Sequence, residues 1–333
     1  MPFSVSYSFS EYRSKTVDLD ADETKKARTS RDYLEGQISL LPIKDQSFPR
    51  LYGGYQYFGS FSRKTKARPL DDIDFMVLLD GKNTSGNVYS GYSYKITVTD
   101  KTSVLWQYAD IYGVLSSTRV LNKFKSSLQT IPSYKNSDLK RNGEAVVLNL
   151  TSYAWSFDIV PSFPASNSSY DKSISFYYIP DGNGNWKKTD PRIDQNSITT
   201  TNGKHNGNLI PLIRLIKYWN ANSRAAPRMG SYHLETMMIN AFKYQPAISE
   251  VRKGVPFAFG QIASLILSNC PDPKGFGPNL DNYLDMETRL KIRTAAQEME
   301  QFSNWALMYE SSSNDKDAIY WWGRVFPNFP PYG

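Results

Sequence analysis

Between Gly59 and Leu79 the chain runs through a Gly-Ser pair, a short basic linker and the segment Asp72-Ile73-Asp74-Phe75-Met76-Val77-Leu78-Leu79. A short apolar run introduced by charged residues suits a buried strand. Side chains two apart on a strand share a face. Asp72 and Asp74 therefore project together, while Ile73, Phe75 and Val77 point the other way. Carboxylates this close repel each other unless a cation lies between them. The fold must bury one end of this strand in a sheet and keep its acidic end open to a ligand.

Hard oxygen ligands suit Mg²⁺, which binds through one or two carboxylates together with substrate phosphates. A two-metal site needs a third carboxylate, and Asp158 in Trp155-Ser156-Phe157-Asp158-Ile159-Val160-Pro161 is the candidate. A charge within an apolar strand is costly to bury unless it is paired or bound to metal. With its strand beside that of Asp72, three carboxylates would meet on one face, a set suited to metal-assisted nucleotidyl transfer. Asp158 would also position the attacking hydroxyl and take its proton. Asp71 faces away from the pair and is left out of the set. Gly59 lets a phosphate approach the backbone closely, and Ser60 adds a hydroxyl donor. Taken alone, the Asp-x-Asp pair also fits turn capping or a solvated edge, and the Gly-Ser pair an ordinary tight turn.

The pattern along the chain predicts a mixed α/β lobe followed by a helical lobe. Asp22–Leu41 reads as a long polar helix with the stripe Ala27, Leu34, Ile38 and Leu41. Gly53 and Gly54 end that region, and Tyr55–Phe58 suits a short strand or a lead-in to the Gly59 turn. Asn83–Gly91 reads as a loop and Tyr92–Thr99 as a strand. Val104–Leu128 has helical spacing, with a break at Gly113 and Ser116-Ser117. Strands follow at Glu144–Thr151, Ser156–Phe163 and, at the edge, Ser175–Ile179. The polar stretch Asp181–Asn208 reads as the link, which sets domains at 1–205 and 206–333. Helices then cover Leu209–Asn220, Tyr232–Tyr244, Pro256–Asn269, Met286–Tyr309 and Asp317–Val325.

The C-terminal half offers further candidates. Arg214 and Lys217 lie three apart on one helix, and a lysine there can reach a triphosphate as a point charge. A solvated basic face fits the same residues. Ser231 opens the next helix, where a serine is an N-cap by default and also a phosphate contact, and Tyr232 can stack on a base. Arg63, Lys64, Lys66 and Arg68 suit a flexible, solvated loop or a gate for incoming nucleotide.

The 333 residues suffice for two lobes with a buried core, and 40% hydrophobic with 21% charged residues describes a globular chain. A net charge of +7 suits anionic partners as well as plain solubility. The single Cys270 excludes an intrachain disulfide and a cysteine-rich zinc site, and fits a reducing compartment. His205 and His233 are the only histidines, and neither has a partner at ligand spacing. With no signal peptide at the start and no apolar stretch long enough to span a bilayer, the expected location is the cytoplasm.

Gly59-Ser60-Phe61-Ser62-Arg63-Lys64-Thr65, Asp72-Ile73-Asp74, Asp158, Leu215-Ile216-Lys217-Tyr218-Trp219-Asn220 and Ser231-Tyr232-His233-Leu234-Glu235 together resemble the motif series of the bacterial cGAS/DncV-like nucleotidyltransferases, within the polymerase-β-like superfamily. Asp272-Pro273 followed by Asn279 resembles a feature shared with oligoadenylate synthases and archaeal CCA-adding enzymes. The resemblance implies an α/β palm crossed by a long N-terminal spine helix, with a helical lobe closing the active-site cleft. It implies that Asp72, Asp74 and Asp158 hold two Mg²⁺ ions, with Mn²⁺ able to substitute. It further implies that Gly59 and Ser60 bind triphosphate, Lys217 and Ser231 contact phosphates, and Tyr232 stacks a base. The substrates would be nucleoside triphosphates and the product a cyclic di- or trinucleotide messenger, acting on an effector in antiphage defence. The animal DNA sensor of the superfamily carries a zinc insertion that one cysteine cannot build, so DNA is no obligate partner. Alternatives are a template-independent enzyme adding nucleotides to RNA 3′ ends, a catalytically inactive nucleotide-binding module, and a small antitoxin that modifies a partner protein.

Overall fold

The spacing of apolar residues accounts for most of the elements in the computed structural model, which describes residues 4–167 and 173–333. In chain order these are α1 (Val5–Tyr12), α2 (Ala21–Ser39), α3 (Leu41–Lys44), β1 (Leu51–Tyr57), α4 (Gly59–Ser62), β2 (Asp72–Leu79), β3 (Thr84–Ser90) and β4 (Ser93–Val98). Then come α5 (Ser117–Gln129), β5 (Asp138–Asn142), β6 (Ala145–Asn149), β7 (Ser156–Ala165), β8 (Phe176–Pro180), β9 (Trp186–Thr189) and α6 (Pro191–Lys204). The last are α7 (Leu209–Asn222), α8 (Ser231–Phe242), α9 (Val255–Leu265), α10 (Met286–Ser311) and α11 (Asp315–Val325). No described helix is long and apolar enough to cross a membrane.

Contacts group the chain into two units, and neither is a continuous stretch. One comprises Asp22–Ser62 and Leu70–Asp194; the other comprises the residues through Ala21, Arg63–Pro69 and Gln195–Gly333. The later boundary falls inside α6.

The first unit holds a mixed sheet in the order β1-β2-β7-β8-β9-β4-β3, with β6 also paired to β7 and β5 to β6. β2 and β7 are parallel neighbours; the other pairings are antiparallel. Met76, Leu78, Val160, Tyr177 and Ile179 pack together from β2, β7 and β8. Pro161 sits within β7. Proline donates no ladder hydrogen bond, and Pro161 falls between the residues paired to β6 (156–159) and those paired to β8 (163–165). α2 buries Ala27, Leu34 and Ile38 on one face. On α5, Ser116 caps the N-terminus and Val120, Leu121, Phe124 and Leu128 are buried.

Four expectations change here. β1 begins at Leu51, and Gly53 and Gly54 lie inside it at a register shift between Leu51 and Tyr55, so they bulge the strand instead of ending a helical region. The segment expected as the loop Asn83–Gly91 contains β3, whose side chains are mostly exposed because it borders only β4. β8 is interior, between β7 and β9, and not at an edge. The expected link Asp181–Asn208 contains β9 and α6.

The second unit is helical. α7 buries Leu209, Leu212, Ile213, Leu215, Ile216 and Trp219, and α10 packs against both α9 and α11. α1 joins this core through Val5, Phe9 and Tyr12, spaced four and three apart. Phe9 meets Trp322 edge-on with centroids 4.8 Å apart, and the Tyr12 hydroxyl donates to the Pro327 carbonyl at 2.8 Å.

Candidate active site

The parallel register of β2 and β7 sets Asp74 opposite Asp158 and Asp72 opposite Ser156. Registered partners on adjacent strands point to the same face and lie about 4.8 Å apart in the hydrogen-bonding direction. Asp72, Asp74 and Asp158 are each half-buried, while the intervening Ile73, Phe157 and Ile159 are fully buried. Burial therefore alternates as two-residue periodicity requires, and the carboxylates share the more open face. Asp71 lies just before β2 and is exposed; its carbonyl accepts from the Ser156 backbone N–H at 2.9 Å.

Gly59 begins the single-turn helix α4 with φ +72°. A β-carbon built on it would fall 1.8 Å from Oδ2 of Asp74 and 2.6 Å from its Cγ. The Asp74 carboxylate thus occupies the space that the missing side chain leaves. Glycine meets two demands here, a left-handed backbone and contact with a carboxylate. Ser60 follows it and is half-buried.

Among the described residues no three His, Cys, Asp or Glu side chains already converge as a metal cage. The donors that share this face are oxygens alone, which suits Mg²⁺ and not a thiolate- or imidazole-seeking metal. Both histidines make hydrogen bonds within the helical unit. His205 joins the Phe242 carbonyl through Nε2 at 2.9 Å and accepts the Ile248 N–H on Nδ1 at 3.2 Å. His233 Nδ1 meets the Tyr283 hydroxyl at 3.2 Å.

Lys217, Ser231 and Tyr232 lie in the helical unit. Lys217 is 7% exposed, so it does not lie on a solvated basic face. Its Nζ lies 3.3 Å from Oε2 of Glu235, a carboxylate 1% exposed on α8. That same oxygen accepts from Thr65 Oγ1 at 2.7 Å, and Oε1 accepts from Arg63 Nε at 2.5 Å. Burial lowers the Lys217 pKa and Glu235 opposes that shift. Burial also pushes the Glu235 carboxyl up, but Arg63 and Lys217 outweigh it and the net shift is downward.

Arg63 is buried, which corrects the solvated reading at that residue, while Lys64 is exposed and Lys66 and Arg68 are half-buried. Arg214 Nε donates to the Lys64 carbonyl at 2.8 Å, and the Arg68 N–H donates to the Val17 carbonyl at 2.9 Å. Ser231 is exposed at the first turn of α8, where the N-cap is Gly230 and not the serine. Tyr232 is half-buried, with Lys274 Nζ 4.3 Å and the Arg63 guanidinium 5.5 Å from its ring centroid. Glu235 is the residue whose role sequence reasoning missed. Its signal was a carboxylate among Leu234, Met237 and Met238, the same kind of signal that singled out Asp158.

Acidic residues on two adjacent parallel strands of a mixed sheet, beside a glycine turn, form an arrangement suited to nucleotidyl transfer. No family model matches it. Across 329 residues, 97% of each chain, it is 40% identical to a probable cyclic nucleotide synthase of Bacillus cereus. It is 24% identical to a cyclic GMP-AMP synthase-like receptor of Microplitis demolitor over 269 residues, 67% of this chain and 51% of that one. Among solved structures, Escherichia coli CdnC with ATP aligns over 97% of this chain and 98% of its own, with a TM-score of 0.69 at 15% identity. Vibrio cholerae DncV in its apo form aligns over 98% and 96%, with a TM-score of 0.69 at 11% identity. The chain belongs to the bacterial cyclic nucleotide synthases, the cGAS/DncV-like nucleotidyltransferases.

Proposed function

We propose that this enzyme condenses nucleoside triphosphates into a cyclic di- or trinucleotide, and that the product activates a separate effector in antiphage defence. The observation that carries the reading is the pairing of Asp74 with Asp158 beside a glycine that leaves room for one carboxylate. The similar E. coli structure holds ATP, which supports triphosphate substrates here. Asp72, Asp74 and Asp158 would hold Mg²⁺, with Mn²⁺ substituting. When bound, the metal neutralises triphosphate charge and acidifies the attacking ribose hydroxyl.

The chain's own residues do the rest. Asp158 orients the hydroxyl and takes its proton. Gly59 and Ser60 hold a phosphate close to the backbone, Lys217 and Ser231 contact phosphate oxygens, and Tyr232 stacks a base. The enzyme works in the cytoplasm, with neither a membrane nor DNA as an obligate partner.

The test is incubation with all four ribonucleoside triphosphates and Mg²⁺, without nucleic acid, followed by phosphatase treatment and mass spectrometry. A phosphatase-resistant cyclic product that disappears with EDTA and returns with Mn²⁺ is expected. Incorporation only when RNA is added would replace this reading with an RNA 3′-end adder.

A further inference from the structure

Glu235 is the most enclosed carboxylate bound to two cations in the helical unit. Three donors from two chain segments meet on it: Arg63 and Thr65 from the stretch after the Gly59–Ser60 turn, and Lys217 from α7. The stretch Arg63–Pro69 groups with the helical unit, yet it is continuous with the turn on one side and with Asp72 on the other. Glu235 thus holds Arg63 and Thr65 against α8.

We infer that Glu235 is a positioning residue for triphosphate binding: its carboxylate fixes Lys217 and ties Arg63 and Thr65 to α8. This rests on the phosphate role proposed above for Lys217. A lysine four-carbon stem is flexible, and Lys217 shares Oε2 with Thr65, which holds that oxygen in place. Charge matters as well as geometry. Lys217 feels Arg63 and Lys66 as like charges and Glu235 as the opposing one. Without Glu235 the buried Lys217 would lose the carboxylate that opposes the downward pull of burial on its pKa, and with it the group that holds its Nζ in place. Glu235 touches no reacting atom in this scheme; it acts through Lys217 and Arg63.

The test is a cycle of Glu235→Gln, Lys217→Met and the double variant, read as apparent KM and kcat for the triphosphates the wild type consumes, with melting temperature recorded. Glu235→Gln is expected to raise KM about tenfold, more than it lowers kcat, the size of one charge-assisted contact. In the Lys217→Met background it should add less than it costs in the wild type, because only the tie to Arg63 and Thr65 is then left to lose. Thr65→Val, which keeps every charge, should give a smaller rise of the same kind and serves if Glu235→Gln does not fold. Effects that multiply in the double variant, or a lower melting temperature with unchanged KM, would overturn the inference. A wild type that binds ATP without making product would instead defeat the proposed activity. The same cycle, read as the Kd for ATP by calorimetry, would then still decide the role of Glu235.

Discussion

Gly59→Ala tests the link between the glycine turn and the acidic strand most directly. The added β-carbon would lie 1.8 Å from Asp74 Oδ2, and real β-carbons essentially never come within 3.0 Å of a neighbour. Carboxylate and backbone must therefore part by at least the difference between these distances, more than 1 Å. A misplacement of about 1 Å in a catalytic constellation costs on the order of 100-fold in rate. The left-handed φ of +72° adds a backbone cost of roughly 1–2 kcal/mol for an L-residue. For a domain of this size that lowers the melting temperature by about 2–8 °C. The assay pairs pyrophosphate release from triphosphates with scanning calorimetry. Gly36→Ala is the control: Gly36 lies in α2 with nothing within 4 Å of an added β-carbon, so it should gain about 0.5–1 kcal/mol with activity unchanged. If Gly59→Ala keeps wild-type turnover within about threefold, well inside the loss expected from misplacement, the Asp74 carboxylate does not need its cradle and the reasoning fails.

Asp74→Asn should abolish product formation with the melting temperature within about 2 °C of wild type, since the half-buried carboxylate is replaced by an isostere. Near-normal turnover by the folded variant would remove Asp74 from the metal set. Hydrogen bonds from Lys123 and Ser47 hold the Asp45 carboxyl down to about 2, from an ordinary 3.8. Being depressed, it contributes stability that is present above 3.8 and lost as pH falls toward 2. Melting curves across that window should flatten in Asp45→Asn, and parallel curves would refute the contribution. Asp281, 1% exposed, accepts from the Cys270 N–H at 2.7 Å and from Arg289 Nη2 at 2.5 Å. Asp281→Asn should cost about 2–3 kcal/mol by urea denaturation, because Arg289 loses its counter-charge but keeps carbonyl partners. A loss under about 0.5 kcal/mol, the scale of an ordinary surface substitution, would show the pair to be dispensable.

The sequence was most legible where burial and charge alternate sharply. β2 has the bounds that its apolar run predicts, and β7 begins at Ser156 as expected because Phe157, Ile159 and Val160 bracket a single carboxylate. Polar elements were harder to read. β3 exposes nearly every side chain, β5 pairs only with β6, and so neither shows burial periodicity. α1 carries a readable stripe in Val5, Phe9 and Tyr12, but its helix is short and its apolar partners come from the far end of the chain. The acidic strand pair was legible because each member sits in its own local pattern. The Glu235 cluster was not, since Arg63, Lys217 and Glu235 look like surface charges until the fold brings them together.

The chain changes units four times, at Ala21, Ser62, Pro69 and Asp194. No single cut yields two autonomous pieces: a break at any of these points strands part of one body with the other. Splitting it for reconstitution, or grafting one body onto a foreign partner, requires rerouting the seven residues Arg63–Pro69 rather than choosing a linker.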